Sequence, residues 1–133
     1  MKLDYDFLKS ILKEIRDNPS ANGYHVTRIP SPAGNPDGSI WDDFDKKVYH
    51  YKILRDGGYV YCDINEIKLR GEVMANEIVY QGLTELGHNL LEAMENDTVW
   101  NHIKDGVKEQ SVAMLKQIPA LAVTFLKSYI QNK

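Results

Sequence analysis

The sequence holds a single cysteine, Cys62, so no internal disulfide is available and nothing in it marks an oxidising compartment. Basic surplus is also missing: 16 Lys and Arg stand against 19 Asp and Glu, a net charge of -3. By segment, residues 1–39 balance to zero, 40–83 carry six basic and eight acidic groups, and 84–133 carry five and six. No segment is therefore basic overall, and non-specific DNA affinity rests on clustered Lys and Arg. Long apolar runs are absent too. The most apolar stretch lies between Lys116 and Lys127, which bracket ten residues, where a membrane span needs about 20. MKLDYDFLKS has two aspartates before any apolar run and no signal-peptide character, so the expected location is the cytoplasm.

Catalytic signatures are lacking as well. His25, His50, His88 and His102 include no i, i+4 pair and none pairs closely with Cys62, so no zinc site is expected. Glu85, Glu92 and Glu95 give no sign of a shared cleft, and no G-x-S-x-G elbow or phosphate loop occurs. The expectation is a protein without enzymatic activity, cofactor or metal.

What is present is a sequence of helix and strand signals suited to one domain of 133 residues, 43% apolar and 26% charged. Asp4 is placed to cap a helix with an apolar stripe of Phe7, Leu8, Ile11, Leu12 and Ile15, ending at Asp17-Asn18-Pro19. GYHVTRIP suits an edge strand, and PSPAGNPDGS, with three prolines and two glycines, is a loop. A second helix starts at Ser39, points Ile40, Phe44, Val48, Tyr51 and Leu54 inward and Lys46, Tyr49, Lys52 and part of His50 outward, and stops at Gly57-Gly58. Strands follow around Tyr59–Ile64 and Ile78–Leu83, with INEIKLRGEVMANE as a polar connector between them. Thr84 caps a third helix whose buried stripe is Leu86, Leu90, Leu91 and Met94. Asn96-Asp97-Thr98 begins another, carrying Val99, Trp100 and Ile103.

The segment Ser111–Ile130 is apolar on several sides, and Pro119 should kink or split its helix. Two uses are open for Leu115, Ile118, Ala122, Phe125, Leu126 and Tyr129. They pack on the domain's own core, or they pair with a second copy in a homodimer.

The runs YHYKILRDGGYVYC, LTELGHNLLEAMENDTVWN and MKLDYDFLKSIL together resemble a family of uncharacterised bacterial and prophage-encoded proteins, a domain of unknown function with a winged-helix-like fold. HYKILRDGGYV also looks like the end of the recognition helix in winged-helix repressors, although the slot before that helix holds PSPAGNPDGS and their sensory Cys and His clusters are absent. The resemblance implies an α+β winged helix-turn-helix-like domain over 1–108, with a helical C-terminal extension over 109–133. It implies a small DNA-binding regulator or accessory factor; the acidic balance and the apolar C-terminal helix keep open the alternative of a protein-interaction and assembly module with the same fold. On the DNA reading, Lys46, Tyr49, His50, Lys52 and Arg55 face the groove and Lys68 and Arg70 form the wing. The aspartates at 42, 43 and 45 oppose that use.

Overall fold

The computed structural model describes residues 3–18, 25–30, 41–106 and 110–131. Ser39, Ile40 and most of the PSPAGNPDGS loop lie outside them, so the expected start of the second helix does too. Within the described residues the chain is α+β, with six helices and one three-stranded antiparallel sheet.

Helix α1 spans Tyr5–Asp17, and the Asp4 carboxylate accepts the Phe7 N–H, supplying a partner for a donor that the first turn leaves free. Tyr5, Leu8, Ile11, Leu12 and Ile15 form its buried stripe. Phe7 is only partly buried, and Tyr5 takes the fully enclosed position instead.

Strand β1, His25–Pro30, is an edge strand, as its sequence suggests. Helix α2 spans Trp41–Asp56 and buries Val48, Tyr51 and Leu54, with Phe44 partly covered. It ends in a Schellman motif: Tyr59 N–H donates to Leu54 C=O, Gly58 N–H donates to Arg55 C=O, and Gly58 sits at φ +75°. Glycine meets that left-handed angle without a Cβ clash.

The largest departure from expectation lies in the hairpin. Strands β2 (Val60–Leu69) and β3 (Glu72–Leu83) run continuously through INEIKLRGEVMANE, so this segment is paired strand and no connector. Only Arg70 and Gly71 turn the chain, both at positive φ (54° and 82°), as a two-residue type I′ turn requires. Periodicity missed these strands because their far end projects beyond the core: Asn65, Glu66, Lys68 and Leu69 are exposed, so no buried face enforces alternation. Register shifts at Tyr61/Cys62 and Ile67/Lys68 leave Gln81 and Met74 of β3 without a partner on β2. Strand β3 is central, with β1 and β2 at its sides, and it carries Ile78, Tyr80 and Leu83 into the core.

Helix α3 spans Glu85–Glu95 behind the Thr84 cap. Its buried face is Gly87, Leu90, Leu91, Ala93 and Met94; Leu86, expected inside, is 55% exposed. The face turns because the glycine lets the helix backbone approach the Tyr59 carbonyl. Helix α4 (Asp97–Gly106) buries Val99, Trp100 and Ile103. The last helical segment is split as Pro119 demands, into α5 (Val112–Leu115) and α6 (Ile118–Gln131), with the proline in the first turn of α6. No helix among the described residues is long and apolar enough to cross a membrane.

Candidate functional site

The outward face of α2 is set by helical spacing. Asp45, Tyr49, Lys52 and Asp56 follow one another at i, i+4, i+7 and i+11, and each is exposed or half-buried. This ridge carries two carboxylates and one ammonium. The cations beside it are occupied: Lys46 Nζ lies 3.0 Å from Asp4 Oδ2, and Arg55 Nε lies 2.9 Å from Asp56 Oδ1. Lys46 also lies 4.8 Å from the centroid of the Phe7 ring. Burial raises the Asp4 carboxyl, but the Lys46 contact and the Phe7 N–H outweigh it and hold the group below its ordinary 3.8. Lys52 is exposed and has no ion-pair partner among the described residues.

His50 requires a correction. Expected partly outward, it is 0% exposed and cannot meet a nucleic-acid groove. Its Nε2 accepts the Asp4 backbone N–H at 2.9 Å, and its Nδ1 lies 2.7 Å from the Lys46 carbonyl oxygen. Burial depresses its pKa below the ordinary 6.5, outweighing the Lys46 carbonyl and the Asp4 carboxylate, which favour the charged ring; the Lys46 ammonium adds a smaller lowering.

At the other end of the hairpin, Lys68 and Arg70 are exposed at the tip, where the sequence placed a wing. Lys68 Nζ lies 3.6 Å from Glu66 Oε2. Near the hairpin base, Arg55, Tyr61, Cys62, Asp63 and Gln81 line a shallow polar cleft of about 310 Å³, and Tyr61 is 60% exposed. The cleft joins the end of α2 to the edge of β2. Neither Tyr61 nor this cleft was singled out in the sequence, because an aromatic within a strand signals core as readily as surface.

The proposed oligomerisation residues divide. Leu115, Ile118 and Ala122 are buried in the domain's own core, and Phe125 is partly buried with its ring 4.3 Å from that of His102. Leu115, Ile118 and Ala122 thus serve the chain's own core, and Phe125 does so in part. Leu126 stays 39% exposed beside Val123, while the Tyr129 side chain lies outside the described residues.

A second cluster was not anticipated at all. Three successive residues at the start of α1 bind three different parts of the chain. Asp4 holds His50 and Lys46 of α2. Tyr5 N–H donates to Gln110 Oε1, while its hydroxyl donates to the Ser111 carbonyl and accepts the Ser111 N–H. The Asp6 carboxylate accepts from Trp100 Nε1 and Lys104 Nζ. The contacts to residues 100–111 span about a hundred positions, which no local pattern announces.

Residues 2–113 match the pattern of a family described as Hypothetical protein (DUF2513). The chain belongs to this family. The match includes α1 through α4 and the hairpin, and it stops before α6. A protein of Haemophilus influenzae (strain ATCC 51907 / DSM 11121 / KW20 / Rd), described as "Uncharacterized protein", is 30% identical over 135 residues, covering 98% of this chain and 99% of its own length. No solved structure matches the chain.

Proposed function

We propose that this family member is a winged-helix-like, non-enzymatic docking module of bacterial or prophage origin that acts in the cytoplasm by contacting another protein. The winged-helix reading is supported by the path of the chain: α2 turns at a glycine corner into a long hairpin whose return strand pairs with β1. The partner class follows from one observation, the charge of the α2 ridge. Two aspartates flank a single lysine there, and the neighbouring Lys46 and Arg55 are paired with carboxylates. Phosphate recognition gains its affinity from uncompensated cations, whereas protein interfaces favour aromatics and arginine over a mixed polar surface. Tyr49, Tyr61 and Arg55 fit the second description.

Duplex DNA is the competing reading, favoured by exposed Lys52, Lys68 and Arg70. Fluorescence anisotropy of a random duplex pool separates the two, with the chain compared to a Lys52→Glu/Arg70→Glu variant. The docking reading expects no saturable binding at micromolar protein. Binding that weakens by about 10³-fold between about 50 mM and about 200 mM salt, and is lost in the variant, would replace it with the DNA reading. A photocrosslinker placed at Tyr49 in bacterial cells should give a discrete protein adduct that the same group at exposed Asn101 does not; absence of that adduct counts against protein docking.

A further inference from the structure

We propose that His50 is the pin of a pH-sensitive latch that fastens the first turn of α1 to α2. The latch does not rest on the docking proposal: His50 is buried, its two hydrogen bonds run to the Asp4 and Lys46 backbones, and its one contact with the ridge is the edge of the Tyr49 ring. The Asp4 backbone N–H can only donate, so Nε2 of His50 must accept, and the ring proton is fixed on Nδ1, directed at the Lys46 carbonyl. The ring is thus held neutral with both nitrogens committed. Phe7 and Tyr49 meet it edge-on, at centroid distances of 4.8 Å and 5.3 Å, and the ring itself is fully buried.

Protonation would place a second donor on Nε2, directly against the Asp4 N–H. That bond is then lost. Among the described residues, the charged groups facing the ring are Asp4, preceding α1, and Lys46, on α2. An imidazolium competes with Lys46 for the Asp4 carboxylate, whose oxygens already accept the Phe7 N–H at 3.1 Å and Lys46 Nζ at 3.0 Å. Acidification therefore acts on the ring contact and the helix cap together. Because Tyr5 ties the same turn to Gln110 and Ser111, opening at Asp4 loosens the anchor of the C-terminal segment as well.

The sign follows from linkage. The folded chain holds His50 below the ordinary 6.5, so the open junction binds more protons and the closed one is favoured above that pH. As pH falls from 6.5 toward the lowered value, the open population rises by up to about tenfold per pH unit, and then levels off.

The test is an NMR titration of the full chain from about pH 8 to about pH 5, following the His50 ring nitrogens and the Asp4 and Phe7 backbone amides. The latch requires the Nδ1–H tautomer at high pH, one midpoint below 6.5 shared by the ring and both amides, and loss of amide protection at that midpoint. In His50→Gln the amide response should vanish. An Nε2–H tautomer, a midpoint at or above 6.5, a titrating ring with an unmoved Asp4 amide, or an unchanged amide response in His50→Gln each overturns it. If His50→Gln fails to fold, the wild-type titration still decides. The Asp4 carboxyl titrates below 3.8, outside the window, and cannot imitate the signal.

Discussion

Replacing Gly87 with alanine tests how closely α3 approaches the corner between α2 and β2. A Cβ built on Gly87 would lie 2.0 Å from the Tyr59 carbonyl oxygen and 3.0 Å from its carbon. Since non-bonded heavy atoms rest near about 3.5 Å, the carbonyl must retreat by about 1 to 1.5 Å. It is not free to do so, because it accepts the Thr84 N–H at 3.0 Å, and the Thr84 hydroxyl is held by the Gly58 carbonyl at 2.6 Å. Overpacking costs about 1 to 3 kcal/mol, and a weakened hydrogen bond adds about 1 kcal/mol. Alanine returns about 1 kcal/mol in helix propensity. The net loss is about 1 to 3 kcal/mol. Urea unfolding followed by far-UV circular dichroism should show the midpoint falling by about 1 M for a slope near 2 kcal/mol/M. Gly82→Ala, where the new Cβ meets nothing within 4 Å, is the matched control and should stay within about 0.5 kcal/mol of wild type. A Gly87→Ala protein as stable as that control would refute the close approach.

Two tyrosines should respond oppositely to the same substitution. Tyr5→Phe strips the Ser111 N–H and carbonyl of their partner and should cost about 1 to 3 kcal/mol in urea unfolding. Tyr51→Phe removes a buried hydroxyl that has no hydrogen-bond partner among the described residues and should be neutral or stabilising; equal losses at the two sites would contradict both assignments. For Cys62, burial pushes the thiol from 9.0 to about 11 despite the pull of Arg55. Iodoacetamide at about pH 8 should modify it about 100-fold more slowly in the folded chain than in guanidinium, and a difference under about tenfold would show a more open thiol.

Much of the helical framework was legible locally. The Asp4 and Thr84 caps, the Gly57-Gly58 stop and the break near Pro119 depend on groups a few residues apart, so short-range chemistry specifies them. Leu86 failed because the phase of α3 is set by contact with Tyr59, which lies on another element. The distal hairpin failed because its exposed strands carry no core pattern. The candidate site was legible in part: Tyr49, Lys52, Lys68 and Arg70 are at the surface, while His50 is enclosed by the start of α1.

The sequence by itself determined the Asp4 and Thr84 caps, the Gly57-Gly58 stop and most of the apolar stripe of α1, because caps, glycine stops and apolar spacing act over one or two turns. The tertiary structure alone decided that Leu115, Ile118 and Ala122 serve the chain's own core. It also decided that Lys46 and Arg55 are paired and that Asp4, Tyr5 and Asp6 gather three distant segments. The physical reason is one of range: burial and ion pairing depend on which residues meet across the fold, and the spacing of residues along the chain does not state it.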